Sequence, residues 1–374
     1  MFIVSQIEST PSLSSTSQTI DIVSRERQKS LMLRAWILSG LFFMALPGTL
    51  LGFSNLMAIS TSHGASPLPA AWMQGHGHAQ VFGWIGSFIL GIGFYSQPTK
   101  ARFGVWLPRL CLILWTLGVA FHWITSIYGW QWRILLPVSA CMELAAYFLF
   151  LKSASGHKRE KQPGAEEVKT PIWMVTVLVS TAGLFAAIAF NFVECVNLAM
   201  SGAEPAFPHA LDQRYLVLLG WGVLVPVVWG FSARWLPSFL GIGHPNEGWT
   251  RLALGLDISG VLCSMAGWIG VATVLLASGT AVIAWALQLV RKPSAPAKVQ
   301  GIHPSFTWFI RIAYLWLIVA GSMSIWAAHA DVHGGIWGAS RHALTVGFAA
   351  TMFFSIGPRI LPHFGGVQAI FSNA

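Results

Sequence analysis

Histidines stand at the start of two long uncharged segments of this sequence, at His78 and at His342. An imidazole at the end of a membrane helix can ligate haem iron or copper when a neighbouring group orients its second nitrogen. Each histidine is followed by several glycines, which leave room for a flat macrocycle or for a close helix neighbour. His78 and His342 are therefore candidate haem ligands, and a purely structural role is the alternative.

His76 is a rival to His78 because only one residue separates the two in the sequence. Side chains two positions apart on a helix point roughly 200° away from each other. The two histidines therefore cannot serve one iron axially, and His76 is kept as the second candidate for cofactor binding on this helix.

A looser group of histidines falls between the apolar segments. It consists of His63, His329 and His333, with Asp331 beside the last two. Imidazole and carboxylate together suit copper or zinc. These three histidines are therefore candidate metal ligands, and the alternative is that they are unconnected loop residues.

The two histidine segments belong to a pattern that occurs three times. Counting from His78, glycine, tryptophan, glycine and proline follow at +5, +6, +15 and +20, and His342 has glycine, phenylalanine, glycine and proline at the same offsets. Tyr215 has glycine, tryptophan and glycine at +5, +6 and +15, with proline at +22. The three anchors lie 137 and 127 residues apart. This spacing favours an internal repeat of about four helices.

Composition makes the chain an all-α polytopic membrane protein. Of its 374 residues, 55% are hydrophobic and only 9% are charged, and the mean hydropathy is +0.62. A chain this apolar exceeds what one soluble core can bury. The net charge of +9 comes from residues in short connections between apolar segments. Such a pattern concerns membrane topology, so the expected partner is membrane lipid and no nucleic acid is expected.

The apolar segments predict about ten transmembrane helices in one domain over residues 31–362. A disordered cytoplasmic tail is expected over 1–30 and a C-terminal tail over 363–374. The predicted spans are 33–57, 78–97, 105–127, 133–152, 172–199, 214–236, 251–269, 272–291, 306–329 and 342–361. A very tight turn marked by Gly267 and Gly270 must separate the seventh and eighth spans. The repeats cover 33–152, 172–291 and, incompletely, 306–362, as pseudo-repeated four-helix arcs.

Basic residues are strongly biased to one side of this arrangement. The side that holds the N-terminus takes 19 of the 22 lysines and arginines, and the opposite side takes Arg133, Arg214 and Arg341. The bias predicts a cytoplasmic N-terminus. Most histidines, including His78 and His122, fall near the outer ends instead. Within the spans, Glu143, Glu194 and Asp257 are costly to expose to lipid, so each is expected to face the protein interior.

Two segments resemble the signatures of a known family. His-Gly-His-Ala-Gln-Val-Phe-Gly-Trp at 76–84 and Arg-His-Ala-Leu-Thr-Val-Gly-Phe at 341–348 are similar to those of the NnrS family. These are membrane proteins associated with nitric oxide and nitrosative stress and reported to hold haem and copper. More distantly, both segments resemble haem-ligating helices of haem-copper oxidase subunit I. The resemblance implies a b-type haem held by His78 and His342, copper as a further candidate, and a bacterial-type inner membrane.

Two positions depart from the oxidase pattern. Ser340 stands where the oxidases carry a histidine for their catalytic haem, and Tyr215 stands where a copper ligand is expected. The third arc also lacks two helices, which a second copy or a partner subunit is expected to supply. The resemblance therefore implies a haem protein that contributes to the nitric oxide response. The alternatives are an oxidase-like or nitric-oxide-reductase-like respiratory enzyme and a haem-free membrane transporter.

Overall fold

The computed structural model describes residues 13–61, 68–97, 106–155, 169–294, 305–331 and 335–364. Within these ranges the chain is helical and forms no strand. Among the described residues, seven helices are long and apolar enough to cross a membrane, which makes the chain an all-α membrane protein. They are Ser24–Thr61, Trp106–Tyr128, Trp132–Ser155, Ile172–Ser201, His209–Leu240, Ile269–Ala286 and Phe306–Ala330.

Most helix boundaries fall within a few residues of the predicted spans. In order, the helical segments are α1 (Leu13–Phe43), π1 (Met44–Leu50), α2 (Leu51–Thr61), α3 (Ala70–His78), π2 (Ala79–Gly86), α4 (Ser87–Tyr95), α5 (Trp106–Tyr128), α6 (Trp132–Ser155), α7 (Ile172–Ser201), α8 (His209–Val217), π3 (Leu218–Leu224), α9 (Val225–Leu240), α10 (Glu247–Met265), α11 (Ile269–Ala286), α12 (Phe306–Ala330), α13 (Gly335–His342), π4 (Ala343–Ala350) and α14 (Thr351–Phe364).

The sequence repeat coincides with a repeated backbone feature. The π-helical segments π2 and π4 begin immediately after His78 and His342, and π3 begins three residues after Tyr215. Such segments are rare in proteins and often mark functional sites, because they rearrange the hydrogen bonds of the helix that contains them. The residues that follow each repeat anchor therefore share an unusual backbone as well as a sequence pattern.

The chain divides into two compact units. The first contains Met1–Glu160 and Leu198–Ala206, and the second contains Lys161–Asn197 and Phe207–Ala374. In the first unit α5 packs against α6 and α3, and in the second α11 packs against α10 and α12. Hydropathy could not reveal this division, because apolar helix faces look alike whether they meet lipid or another helix.

The helix α1 begins within the polar N-terminal segment. It includes residues 13–30, while residues 1–12 of the predicted tail lie outside the described residues. Extending an existing helix is much easier than nucleating one, so the apolar part of α1 supports its polar start. Lys29 fixes this region by donating to the carbonyl oxygen of Gln97 at 2.6 Å.

The tight turn predicted between two consecutive spans is confirmed. The helix α10 ends at Met265 and α11 begins at Ile269, with Gly267 at φ +92° between them. Glycine adopts this positive φ without steric cost, which lets the chain reverse in three residues. Gly270, the other glycine expected to mark the turn, lies inside α11.

Candidate metal centre

Two imidazoles and one carboxyl group meet in the interior of the first unit. His78 ends α3, His122 belongs to α5 and Glu143 belongs to α6. His78 Nε2 lies 2.7 Å from Glu143 Oε1, and the His122 ring stacks on the His78 ring with centroids 3.6 Å apart. The three residues are 5%, 7% and 0% exposed. We call these three residues the buried trio.

Glycines on the surrounding helices make the buried trio possible. A Cβ at Gly118, one helical turn before His122, would lie 2.9 Å from Glu143 Cγ and 3.0 Å from the carbonyl oxygen of Ser139. A Cβ at Gly75, close to His78 on α3, would lie 2.8 Å from Ser126 Cβ on α5. These contacts are tighter than ordinary packing, so only glycine lets α3, α5 and α6 approach this closely.

An aromatic stack holds the His78 ring on the side opposite His122. Phe82 stacks on His78 with ring centroids 4.4 Å apart, and Trp115 stacks on Phe82 at 5.7 Å. Trp115 Nε1 also donates a hydrogen bond to the carbonyl oxygen of Phe82 at 3.0 Å. That carbonyl belongs to π2, so the π-helical segment is tied to α5 at the level of the buried trio. The imidazole of His78 is thus fixed from both faces.

The charge state of the buried trio is restricted by its surroundings. The short contact between His78 and Glu143 requires a proton between nitrogen and oxygen. Two imidazolium rings 3.6 Å apart would repel each other strongly in a poorly polarisable interior, so at most one ring is charged. His122 Nδ1 is buried and has no hydrogen-bond partner among the described residues. An orphaned polar atom of this kind is costly unless a ligand satisfies it.

The donor set of the buried trio fits a transition-metal ion. Its ligand atoms all lie within 4.8 Å of one another. Atoms bound to one ion at about 2.0–2.2 Å can be no more than about 4.4 Å apart, so shifts below about 1 Å would close the site. The parallel histidine rings must tilt to direct their lone pairs at one ion. Two imidazoles and a carboxylate suit copper, zinc and non-haem iron.

A haem on Nε2 of His78 does not fit this arrangement. That nitrogen is occupied by Glu143, and both faces of the ring are covered by His122 and Phe82. Haem ligation would require Glu143 to release the nitrogen and α6 to give way to a macrocycle. The structure therefore favours a small ion over a haem at this position.

His342 has a different environment in the second unit. It is exposed at the end of α13, and its Nδ1 donates to the carbonyl oxygen of Gly338 at 2.8 Å. A backbone acceptor on one nitrogen orients an imidazole for ligation through the other. His342 and His78 belong to separate units, so their pairing around one haem stays a prediction.

The remaining predicted ligands lie apart from the buried trio or outside the described residues. His76 contacts a different helix from His78, because its Nδ1 lies 2.8 Å from the carbonyl oxygen of Gly48 in π1. His329 is exposed and its Nδ1 donates to the carbonyl oxygen of Ile325 at 2.9 Å. His63 and His333 fall outside the described residues. The loop metal site therefore stays a prediction.

The two positions that depart from the oxidase pattern have packing contacts. Ser340 is buried, with its Oγ 2.7 Å from Ser324 Oγ, and it donates to the carbonyl oxygen of Ala320 at 3.0 Å. The Tyr215 ring contacts Phe190 and Phe207, each at a centroid distance of 5.4 Å. Both side chains are therefore used in holding helices of the second unit together.

Sequence reasoning singled out all three members of the buried trio separately, His78 as a candidate haem ligand, and did not join them. It placed His122 among the outer histidines and Glu143 among the acids that must face inward. The missing signal was Gly118, which lies four residues before His122 and therefore on the same face of α5. A short connection at Gly129, whose φ is +62°, folds α6 back on α5 and brings Glu143 to that face.

Comparison with known proteins supplies no relative for this chain. No family model matches it, and neither does any curated protein or solved structure. The buried trio is therefore the observation from which a function can be inferred.

Proposed function

We propose that this protein is a multi-pass membrane metalloprotein that holds a transition-metal ion on His78, His122 and Glu143. The single observation that supports this is the enclosed donor set, with its orphaned His122 Nδ1. Bound copper or iron would supply one-electron chemistry, whereas zinc would supply only a Lewis acid. The protein contributes the dry surroundings and the stacked aromatic support that keep the donors in place.

The biological role follows from the NnrS resemblance. We place the protein in a bacterial-type inner membrane with its N-terminus in the cytoplasm, contributing to the response to nitric oxide and nitrosative stress. Ten spans in pseudo-repeated four-helix arcs, like those of haem-copper oxidase subunit I, belong to the same proposal. A b-type haem on His78 is the alternative to the metal ion, because one nitrogen cannot serve both, and it would require Glu143 to leave His78 Nε2. A homo-oligomer or an assembly with a partner subunit belongs to the same proposal.

Metal content tests the proposed site directly. The purified full-length protein should retain about one metal ion per chain after equilibration with Cu²⁺, Zn²⁺ or Fe²⁺ and removal of free ions. Substituting a residue that only supports a metal ligand typically weakens metal binding by about 10–100-fold. Removing a ligand itself, in His122→Ala or Glu143→Gln, should therefore weaken metal binding at least as much. Elemental analysis and competition with a chelator measure both quantities.

His329→Ala is the matched control for this experiment. His329 is exposed and bonded to its own helix, so its loss should leave the retained metal unchanged. Equal loss in His329→Ala and His122→Ala would place the metal elsewhere. A wild-type protein that retains none of the three ions would refute the metal proposal.

The contact between His78 and Glu143 also favours one alternative function. A buried histidine–glutamate hydrogen bond can move a proton, as a haem-free transporter would require. An absorption spectrum separates this alternative from haem proteins, and metal analysis separates it from a metal site. An oxidase-like or nitric-oxide-reductase-like enzyme would further require turnover of oxygen or nitric oxide. The packing of Ser340 and Tyr215 argues against such a catalytic centre.

The proposed topology has its own test. Nineteen basic residues on the N-terminal side favour a cytoplasmic location for the segment around Lys161. An alkaline phosphatase fusion after Lys161 should be inactive, and a fusion after Arg133 should be active, because the enzyme matures only outside the cytoplasm. The opposite pair of activities would reverse the assignment.

A further inference from the structure

Asp257 is an acid in the interior of the second unit that the proposed metal site does not use. It lies at the middle of α10 and is 1% exposed. Leu254 and Val261 share its buried face, whereas Leu252, Ile258 and Leu262 are exposed on the other side of the helix. The carboxyl group therefore points away from the lipid-facing side of α10.

Neither carboxyl oxygen of Asp257 has a hydrogen-bond partner among the residues that the structure describes. Three buried threonines on α10 and α11 do not supply one, because each hydroxyl donates to a backbone carbonyl oxygen three or four residues earlier in the sequence. Thr250 donates to Asn246, Thr273 to Gly270 and Thr280 to Leu276. Asp257 thus lacks the donors that normally stabilise a buried carboxylate.

Cations are also remote from this carboxyl group. The helix α10 packs against α11, π3 and α8. Neither α11 nor π3 contains a titratable residue, and α8 contributes His209, Asp212, Arg214 and Tyr215. Arg214 is directed to the far end of α10, where it donates to the carbonyl oxygen of Met265. On α10 itself, Arg251 is paired with Glu247 on the exposed surface, and the thiol of Cys263 is the remaining titratable group.

Helix packing closes the space around Asp257. A Cβ at Gly279 on α11 would lie 3.5 Å from the backbone nitrogen of Asp257, and a Cβ at Gly260 would lie 2.7 Å from Leu276 Cγ. The acid is therefore held between closely approaching helices. An ionised carboxylate without a partner in such an interior is unfavourable, so the group takes a proton instead.

We propose that Asp257 is a proton-binding site of the second unit, occupied as a neutral carboxylic acid at neutral pH. Protonation adds one proton to one carboxylate oxygen and removes the charge. Release of that proton requires a donor or cation to approach the carboxylate, so proton exchange here is coupled to rearrangement of the surrounding helices.

Infrared spectroscopy of the full-length protein in lipid tests this proposal. The wild type should show a carboxylic-acid carbonyl band that Asp257→Asn removes and that Glu247→Gln leaves intact. Glu247 is the matched control because it lies on the same helix with its side chain 62% exposed. Exchange into heavy water should shift the same band, which shows that the proton can leave.

Three outcomes would overturn the proposal. If Asp257→Asn removed a carboxylate band instead of a carboxylic-acid band, Asp257 would be ionised. Loss of the carboxylic-acid band on addition of sodium chloride would assign the site to a metal cation. If Asp257→Asn cannot be purified, Asp257→Leu decides: a neutral acid without partners should tolerate leucine with little change in thermal midpoint, and a large drop would reveal an ionic partner.

Discussion

Replacing His78 with leucine is expected to destabilise the protein by about 1–3 kcal/mol, the usual cost of removing one partner of a buried hydrogen bond. Glu143 is fully buried and would lose the imidazole that lies 2.7 Å from its Oε1. The buried carboxyl group would then be left without this hydrogen-bond partner. Chemical denaturation in detergent micelles, followed by tryptophan fluorescence, measures the change in unfolding free energy.

A double substitution separates the lost pair from lost packing. His78→Leu combined with Glu143→Leu removes both polar partners, and such a change should recover most of the stability, because neither partner of the lost hydrogen bond remains. If the double variant is as unstable as His78→Leu, the pair carries no coupling energy and the prediction is wrong.

The exposed pair on α10 is the control. The Arg251 and Glu247 side chains are 64% and 62% exposed, with nitrogen and oxygen 3.5 Å apart. Arg251→Leu should change the unfolding free energy by no more than about 1 kcal/mol, because water already screens this pair. A comparable loss in Arg251→Leu and His78→Leu would mean that burial does not set the energy of the His78 contact.

Gly183→Ala is expected to disrupt the second unit, at a cost of about 3 kcal/mol or more, the upper end of overpacking in a close-packed interior. A Cβ at Gly183 on α7 would overlap the carbonyl oxygen of Gly222 in π3. The oxygen belongs to the backbone and the position of the Cβ is fixed by the backbone of residue 183, so no side-chain rotation can relieve the overlap. The helices must separate, which also strains the 2.7 Å hydrogen bond that Ser180 Oγ donates to the carbonyl oxygen of Val223. Yield in membranes and thermal midpoint measure the effect.

Gly255→Ala is the matched change on an open helix face. Gly255 lies on the exposed side of α10, and a Cβ there would meet no atom within 4 Å. Alanine should therefore be neutral or should stabilise the helix by up to about 1 kcal/mol through its higher helix propensity. Equal behaviour of the two variants would show that α7 and π3 are farther apart than the structure places them.

The sequence by itself determined the class of protein and the positions of many helices. The predicted span 172–199 corresponds to Ile172–Ser201, and the predicted span 306–329 corresponds to Phe306–Ala330. These agree because a helix is the usual way for an apolar chain to satisfy its backbone inside a membrane. The sequence pattern also located the three anchors at His78, Tyr215 and His342, although nothing in that pattern predicted the π-helical backbone after each.

Only the tertiary structure decided which polar groups meet. Glu143 was known to need an inward face, yet the identity of its partners depended on how closely α5 and α6 approach at Gly118. Asp257 was also predicted to face the protein interior, and the structure brings it no hydrogen-bond partner among the described residues. Membrane helices are apolar on both their lipid-facing and protein-facing sides, so hydrophobic periodicity does not mark the face that packs. Contacts between distant segments therefore had to come from the three-dimensional arrangement of the helices.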